Sequence, residues 1–260
     1  AFKTSDGEEA WSFIPPNFLP RLKNIAHTTH PTLLAHAYYL DGQITVSEYW
    51  SGTGSGTSKS ASEWKTILVF GEGRGGSSTL WSASSSCAST SGLSGFNSMY
   101  HATNYPYYCG FWSLDVTSPL SPTYKWRLAP TATTAPYLGD PWSRMQVGRV
   151  LINGNEKWVG FIGAGYNGAD CKGGGTCDTR GKGFLVVNLA DGTILWSYTY
   201  ADNTEMSFSL PAPPAVVDTD NDNLIDTVYI GDLGGTMWRF KMCSAADLAG
   251  NPSCGTSSWS

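Results

Sequence analysis

Thr66-Ile67-Leu68-Val69-Phe70-Gly71-Glu72-Gly73, Val159-Gly160-Phe161-Ile162-Gly163-Ala164-Gly165 and Thr227-Val228-Tyr229-Ile230-Gly231-Asp232-Leu233-Gly234 are three versions of one phrase, β-prone apolar residues running into glycine. A further strand-like run follows each: Phe111-Trp112-Ser113-Leu114-Asp115-Val116, Phe184-Leu185-Val186-Val187-Asn188-Leu189 and Met237-Trp238-Arg239-Phe240-Lys241-Met242. Two units then close on a short tryptophan-bearing run, Tyr124-Lys125-Trp126-Arg127-Leu128 and Ile194-Leu195-Trp196-Ser197-Tyr198. The second of these follows the turn Ala190-Asp191-Gly192-Thr193, where glycine permits the positive φ of a tight hairpin. Glu9-Ala10-Trp11-Ser12-Phe13 reads as another such fourth strand, without a unit of its own.

Repeated four-stranded units punctuated by glycine and aromatic residues are the signature of a β-propeller, whose sheets pack face to face around an axis. The glycines at 71, 163 and 231 lie 92 and 68 residues apart, well above the roughly 40 to 50 of compact propeller repeats. The excess falls in residues 51–62, 77–106 and 168–181, all loop-like in composition. Two complete units, an orphan strand and a last unit with no evident fourth strand fall short of the about 4 to 8 blades of closed propellers. The expected architecture is therefore all-β, one domain over residues 1–260, either a fragment of a larger propeller or one with strands hidden in its insertions.

Composition agrees. The 260 residues include 30 Gly and 14 Pro, too much punctuation for many helices. At 41% hydrophobic there is material for a core, yet no run approaches the roughly 20 apolar residues of a membrane helix. Sixteen Lys and Arg against 21 Asp and Glu give a net charge of −5, which argues against a nucleic-acid surface. The first residues lack the basic start and apolar centre of a signal peptide, so export has to be argued from elsewhere.

The six cysteines fall into neighbours along the chain: Cys87 and Cys109, Cys171 and Cys177, Cys243 and Cys254. Closing short loops costs little chain entropy, so three local disulfides, implying an oxidising compartment, are expected over the other connectivities. Zinc is the weaker alternative: the sequence has no C-x-x-C, and only His27, His30 and His36 form a histidine cluster.

One stretch carries sharp chemistry. Asp218-Thr219-Asp220-Asn221-Asp222-Asn223-Leu224-Ile225-Asp226 places four carboxylates within nine residues, and without them the net charge would be −1. Such carboxylates repel one another unless a hard cation, needing about 6 to 8 oxygens, relieves them. Calcium suits the spacing: Asp218, Asp220, Asp222, the Leu224 carbonyl and Asp226 occupy positions 1, 3, 5, 7 and 9 of an EF-hand loop. Position 6 is Asn223 in place of glycine, and asparagine tolerates the left-handed backbone needed there; position 12 is Tyr229 in place of the bidentate glutamate. The flanks are strand-like, which makes this a calcium loop between the first and second strands of a blade. A solvated Asp/Asn turn is the plainer alternative.

With these residues in view, the chain resembles a known family. Trp11-Ser12-Phe13-Ile14-Pro15-Pro16, Leu40-Asp41-Gly42, Trp64-Lys65-Thr66-Ile67, Gly73-Arg74-Gly75-Gly76, the Asp loop, and Gly231-Asp232-Leu233-Gly234-Gly235-Thr236-Met237-Trp238-Arg239-Phe240 look like the C-terminal domain of the PilY family, the type IV pilus tip-associated adhesins. The resemblance implies a modified propeller of the quinoprotein-dehydrogenase type, with Asp218, Asp220, Asp222, Leu224 and Asp226 binding Ca2+. It implies action in pilus biogenesis, in the balance of extension and retraction, and in adhesion. The implied partners are minor pilins at the pilus tip and a host or surface receptor. The implied place is the extracellular pilus tip or outer-membrane surface after passage through the periplasm, the chain being a monomer in isolation. The long Ser/Gly-rich, cysteine-bearing insertions depart from the family pattern.

Two other functions compete. A quinone-dependent dehydrogenase on this architecture would want adjacent cysteines and a catalytic Asp beside a calcium-bound cofactor. The sequence has no vicinal Cys pair and no recognisable nucleophile and base, so no catalytic residue is expected. A lectin-like propeller would stack sugars on Trp81, Tyr100, Tyr105, Tyr107 and Tyr108, though packing of the insertion onto the blades is the commoner use of such rings. The glycine run at 71–76 lacks the Gly-Lys-Ser/Thr ending of a phosphate loop and is read as a blade turn.

Overall fold

The computed structural model describes residues 1–15, 18, 38–52, 59–76, 110–129, 136–173 and 177–260. Among the described residues three antiparallel sheets follow one another, each strand lying beside its sequence neighbour. Blade 1 comprises β1 (Ile44–Trp50), β2 (Trp64–Gly71), β3 (Phe111–Asp115) and β4 (Thr123–Leu128). Blade 2 comprises β5 (Gln146–Ile152), β6 (Asn155–Gly163), β7 (Gly183–Asn188) and β8 (Ile194–Thr199). Blade 3 has three strands, β9 (Ala215–Val217), β10 (Thr227–Gly231) and β11 (Met237–Lys241). Blades 1 and 2 even share an irregularity, a register shift between their third and fourth strands at Ser113/Leu114 and at Val186/Val187.

Both faces of blade 2 are buried, so its strands read as nearly continuous apolar runs. One core joins Ile67, Val69, Phe111 and Trp126 of blade 1 to Ile162, Leu185 and Val187 of blade 2. A second joins Phe161, Phe184 and Val186 of blade 2 to Val228, Ile230 and Phe240 of blade 3. Phe184 stacks on Phe240 with ring centres 4.4 Å apart, and Trp196 meets Phe240 edge-on at 5.8 Å. A fully buried side chain such as Ile67 or Phe161 contributes about 1.5–3 kcal/mol before chain entropy is set against it.

The repeated glycine has a steric reason. A Cβ at Gly71 would come within 2.4 Å of the Pro141 carbonyl oxygen, and one at Gly163 within 2.0 Å of the Leu210 carbonyl oxygen. In both cases the chain entering the next blade crosses directly over the end of the second strand. Gly231 in blade 3 meets no atom within 4 Å.

Blade 1 and blade 3 share a second device. Glu72 and Asp232 each follow the strand-ending glycine, and each accepts a bond from the indole N–H of the third strand: Trp112 Nε1 to Glu72 Oε1 at 2.6 Å, Trp238 Nε1 to Asp232 Oδ2 at 2.9 Å. The two tryptophans hold the same register, opposite Phe70 and Ile230. Blade 2 has Ala164 after its glycine and Leu185 opposite Ile162, losing both partners together.

The N-terminal segment differs from the strand reading, whereas beyond Met242, where no fourth strand was evident, the structure has a helix. Residues 9–13 form no strand: Glu9 pairs locally with Phe2, Trp11 Nε1 donates to the Pro119 carbonyl at 2.8 Å, and Phe13 covers Phe70 and Trp112 at 6.1 and 5.9 Å. The segment spends its backbone bonds on itself and its rings on the outer face of blade 1. After Met242 the chain turns into a short helix, α1 (Ala245–Gly250), whose N-terminus is capped reciprocally by Ser244 and Asp247. The Cys243–Cys254 disulfide brackets it. Ser260 then exchanges both backbone bonds with Lys241, at 2.6 and 3.2 Å, on the edge where a fourth strand would pair.

The expected Cys171–Cys177 and Cys243–Cys254 disulfides are both present. Cys87–Cys109, the His27, His30 and His36 cluster, and Trp81 with Tyr100, Tyr105, Tyr107 and Tyr108 lie outside the described residues. No helix among the described residues is long and apolar enough to cross a membrane.

Candidate metal centre

β9 and β10 form a hairpin that closes on the pair Val217 and Thr227, leaving residues 218–226 as its loop. The loop folds upon its own backbone. Asn221 and Asn223 take left-handed conformations, φ 62° and 67°, as asparagine does at modest cost. These two reversals bring alternate side chains to one side. Asp218, Asp220 and Asp222 each offer a carboxylate oxygen within 4.8 Å of the others, the one such trio of His, Cys, Asp or Glu among the described residues.

Backbone N–H groups fix the carboxylates. Asp218 accepts from the amides of Asp222 (3.2 Å) and Asn223 (2.8 Å), and Asp222 Oδ1 accepts from the Leu224 amide at 2.8 Å. Asp226 is not one of the trio. Its Oδ2 accepts from the Thr219 amide and hydroxyl at 2.8 and 2.7 Å, anchoring the loop's first turn to its last residue. Two oxygens have no hydrogen-bond partner although buried, Asp222 Oδ2 and Asp226 Oδ1. Leaving a buried carboxylate oxygen unsatisfied costs more than an ordinary missed hydrogen bond.

The electrostatics divide accordingly. Asp220 is pushed above the usual carboxylate range, by desolvation first and then by the neighbouring charges of Asp222, Asp226 and Asp218. Burial also pushes Asp226 up, but the hydrogen bonds from the Thr219 amide and hydroxyl, with the charge of Lys241, outweigh it and hold its carboxyl low. An ionised Asp226 with one oxygen free, beside three convergent carboxylates, is an oxygen-only donor set suited to a hard cation. The Leu224 amide is committed to Asp222.

Sequence reasoning overlooked Asp232 and Glu72, which had been absorbed into glycine turns. Asp232 Oδ1 accepts from the amides of Gly234 and Thr236, both at 2.9 Å, so this acid locks the β10–β11 turn and the Trp238 indole together. The signal available was the joint presence of Gly-acid and Trp at matched positions in two units.

Comparison with known proteins follows the same architecture. Residues 133–257 match the family described as PilY1 beta-propeller domain. The chain is 26% identical over 251 residues to a type IV pilus biogenesis factor PilY1 homolog of Xylella fastidiosa, covering 91% of this chain and 13% of that protein. It is 24% identical over 238 residues to the type IV pilus biogenesis factor PilY1 of Pseudomonas aeruginosa, covering 92% of this chain and 16% of that protein. The crystal structure of the Pseudomonas aeruginosa PilY1 C-terminal domain superimposes with a TM-score of 0.59 at 22% identity, over 99% of this chain and 41% of that one. The chain therefore spans a small part of its curated relatives' length, and its fold is that of a β-propeller. Family match, relatives and solved structure agree: the chain is similar to the PilY family, its residues 133–257 matching the PilY1 beta-propeller domain.

Proposed function

We propose that this chain is a non-catalytic, calcium-binding part of a type IV pilus biogenesis factor, in which Asp218, Asp220, Asp222, the Leu224 carbonyl and Asp226 hold the ion. The observation that carries the calcium reading is the pair of buried, partnerless carboxylate oxygens on Asp222 and Asp226, beside the convergent trio. A cation of ~2.3–2.6 Å bond length satisfies them with oxygen ligands alone. The relatives' names support the pilus reading. Residues 1–260 are read as blades of one propeller. The two disulfides suit an oxidising, extracellular setting at the pilus tip or outer surface. Minor pilins and a host or surface receptor are the partners proposed, for biogenesis and for adhesion.

In this reading calcium neutralises the loop and stiffens the hairpin edge of blade 3; its loss lets that edge loosen and present a different surface to pilus components. The test is calorimetric titration of calcium into chelator-stripped protein, with magnesium and Asp220→Ala as controls. One saturable site, lost in the variant, is the expected result, and an affinity near ~10⁻⁴–10⁻³ M would make the loop responsive to extracellular calcium. Parent-like binding by Asp220→Ala, or no binding by the parent, overturns the assignment.

A further inference from the structure

The Asp loop is docked against blade 2. The Ile225 amide donates to the Arg149 carbonyl at 2.7 Å, and the Ile225 side chain fills the space a Cβ on Gly148 would need, 2.5 Å away. Arg149 Nε then donates to the Asn223 carbonyl at 3.1 Å. That carbonyl and the Leu224 N–H belong to one planar peptide group, and the Leu224 N–H donates to Asp222 Oδ1 at 2.8 Å. A guanidinium on one side of this peptide and a carboxylate on the other polarise it in the same sense, so each bond strengthens the other.

Arg149 is itself held from the far side. Its Nη1 lies 3.5 Å from Glu156 Oε2, and its guanidinium carbon lies 5.7 Å from the centre of the Trp158 ring. Glu156 also accepts from Lys59 Nζ at 2.6 and 2.8 Å and from Trp158 Nε1 at 2.9 Å. Lys59 sits over Trp50 and Trp64 of blade 1, and Trp64 meets Trp158 edge-on at 5.6 Å. An open cavity of about 470 Å³ lies among Trp64, Arg149, Trp158, Asp218 and Asn223, so the guanidinium has room to shift with the loop.

We propose that Arg149 is a positioning residue for the metal centre: through the Asn223–Leu224 peptide it holds the Asp222 carboxylate in place, and through Glu156 and Trp158 it ties the loop's state to the seam between blades 1 and 2. This rests on the calcium reading above. Residues that orient a ligand through one intervening group commonly change metal affinity without touching the ion.

The test is calcium titration of the chelator-stripped chain, followed by calorimetry and by tryptophan emission, in the parent, Arg149→Gln, Arg149→Lys and Trp158→Phe. The parent should bind with a change in emission. Arg149→Gln should bind about tenfold more weakly and lose that change. Arg149→Lys, which keeps the charge and lacks the planar fork, should recover part of the affinity. Trp158→Phe should lose the emission change, because the responding indole is the one packed on Arg149. Binding by Arg149→Gln within twofold of the parent, with emission responding as before, overturns the tie alone. A parent that takes up no calcium sinks the metal centre and this proposal with it. Should Arg149→Gln fail to fold, Glu156→Gln keeps the arginine and weakens its anchor. Binding at least about threefold weaker then supports the tie, and parent-like binding and emission overturn it.

Discussion

Two acidic loops of this molecule solve the same electrostatic problem in opposite ways. In the loop that carries the Cys171–Cys177 disulfide, the Asp178 carboxylate is clasped by Arg180, with Nε 3.0 Å from both oxygens, and by Asn167 Nδ2 at 2.9 Å. Lys182 just beyond is fully buried, its ammonium donating to the Asp178 and Arg180 carbonyls at 2.8 and 3.2 Å. That loop carries its own cations. The loop at residues 218–226 carries none, and leaves two buried carboxylate oxygens without a partner. Density of acid is therefore a poor guide to an ion site; an unanswered oxygen is a better one.

The largest effect expected from breaking this contrast comes from taking the built-in cation away. Lys182→Met keeps the volume and takes the buried ammonium away from the half-buried Asp178 and Arg180 carbonyls, so urea unfolding should show a loss of about 3 kcal/mol, which calcium does not restore. If the variant matches the parent, the ammonium is dispensable and the comparison fails on that side. Next in size is the added cation. Calcium at about a hundredfold excess over its Kd should stabilise the parent by about 2.7 kcal/mol and leave Asp220→Ala unmoved, as thermal unfolding with and without chelator would show. The smallest is a matter of pH. Arg180 holds Asp178 at about 2, below its ordinary 3.8, chiefly through its side-chain hydrogen bonds. A depressed carboxylate stabilises the fold above its unfolded value and ceases to as pH falls through the folded one. Between about pH 4 and 2, Arg180→Gln should therefore remove part of the parent's acid sensitivity. The amount is at most about 1 kcal/mol because the pair is a third exposed; an unchanged acid limb would show the clasp to be energetically idle.

Much of this was legible in the residues because one local pattern served one physical purpose. Gly71 and Gly163 announced the ends of second strands since a crossing carbonyl forbids any larger residue there. Asn223, standing where an EF-hand loop has glycine, takes the left-handed backbone expected of it. Other features depend on partners far along the chain. Glu9-Ala10-Trp11-Ser12-Phe13 has the composition of a strand, but its fate is set by Phe2, Pro119 and Phe70. Glu72 and Trp112 lie 40 residues apart, and only the register of β2 on β3 reveals that they meet. The role of Arg149 was invisible for the same reason, since nothing around it in sequence points to Asn223.

The turn at Gly192 shows where these blades could be cut. Its φ is 78°, and a Cβ there would come within 2.8 Å of the Trp126 ring of blade 1, whose indole also donates to the Leu189 carbonyl. The outermost strand of one sheet is thus keyed to the hairpin of the next. Recombination between related propellers that cuts cleanly between sheets would pair a tryptophan with a foreign turn. A crossover that carries β4 together with the 189–193 turn would keep lock and key in one inheritance.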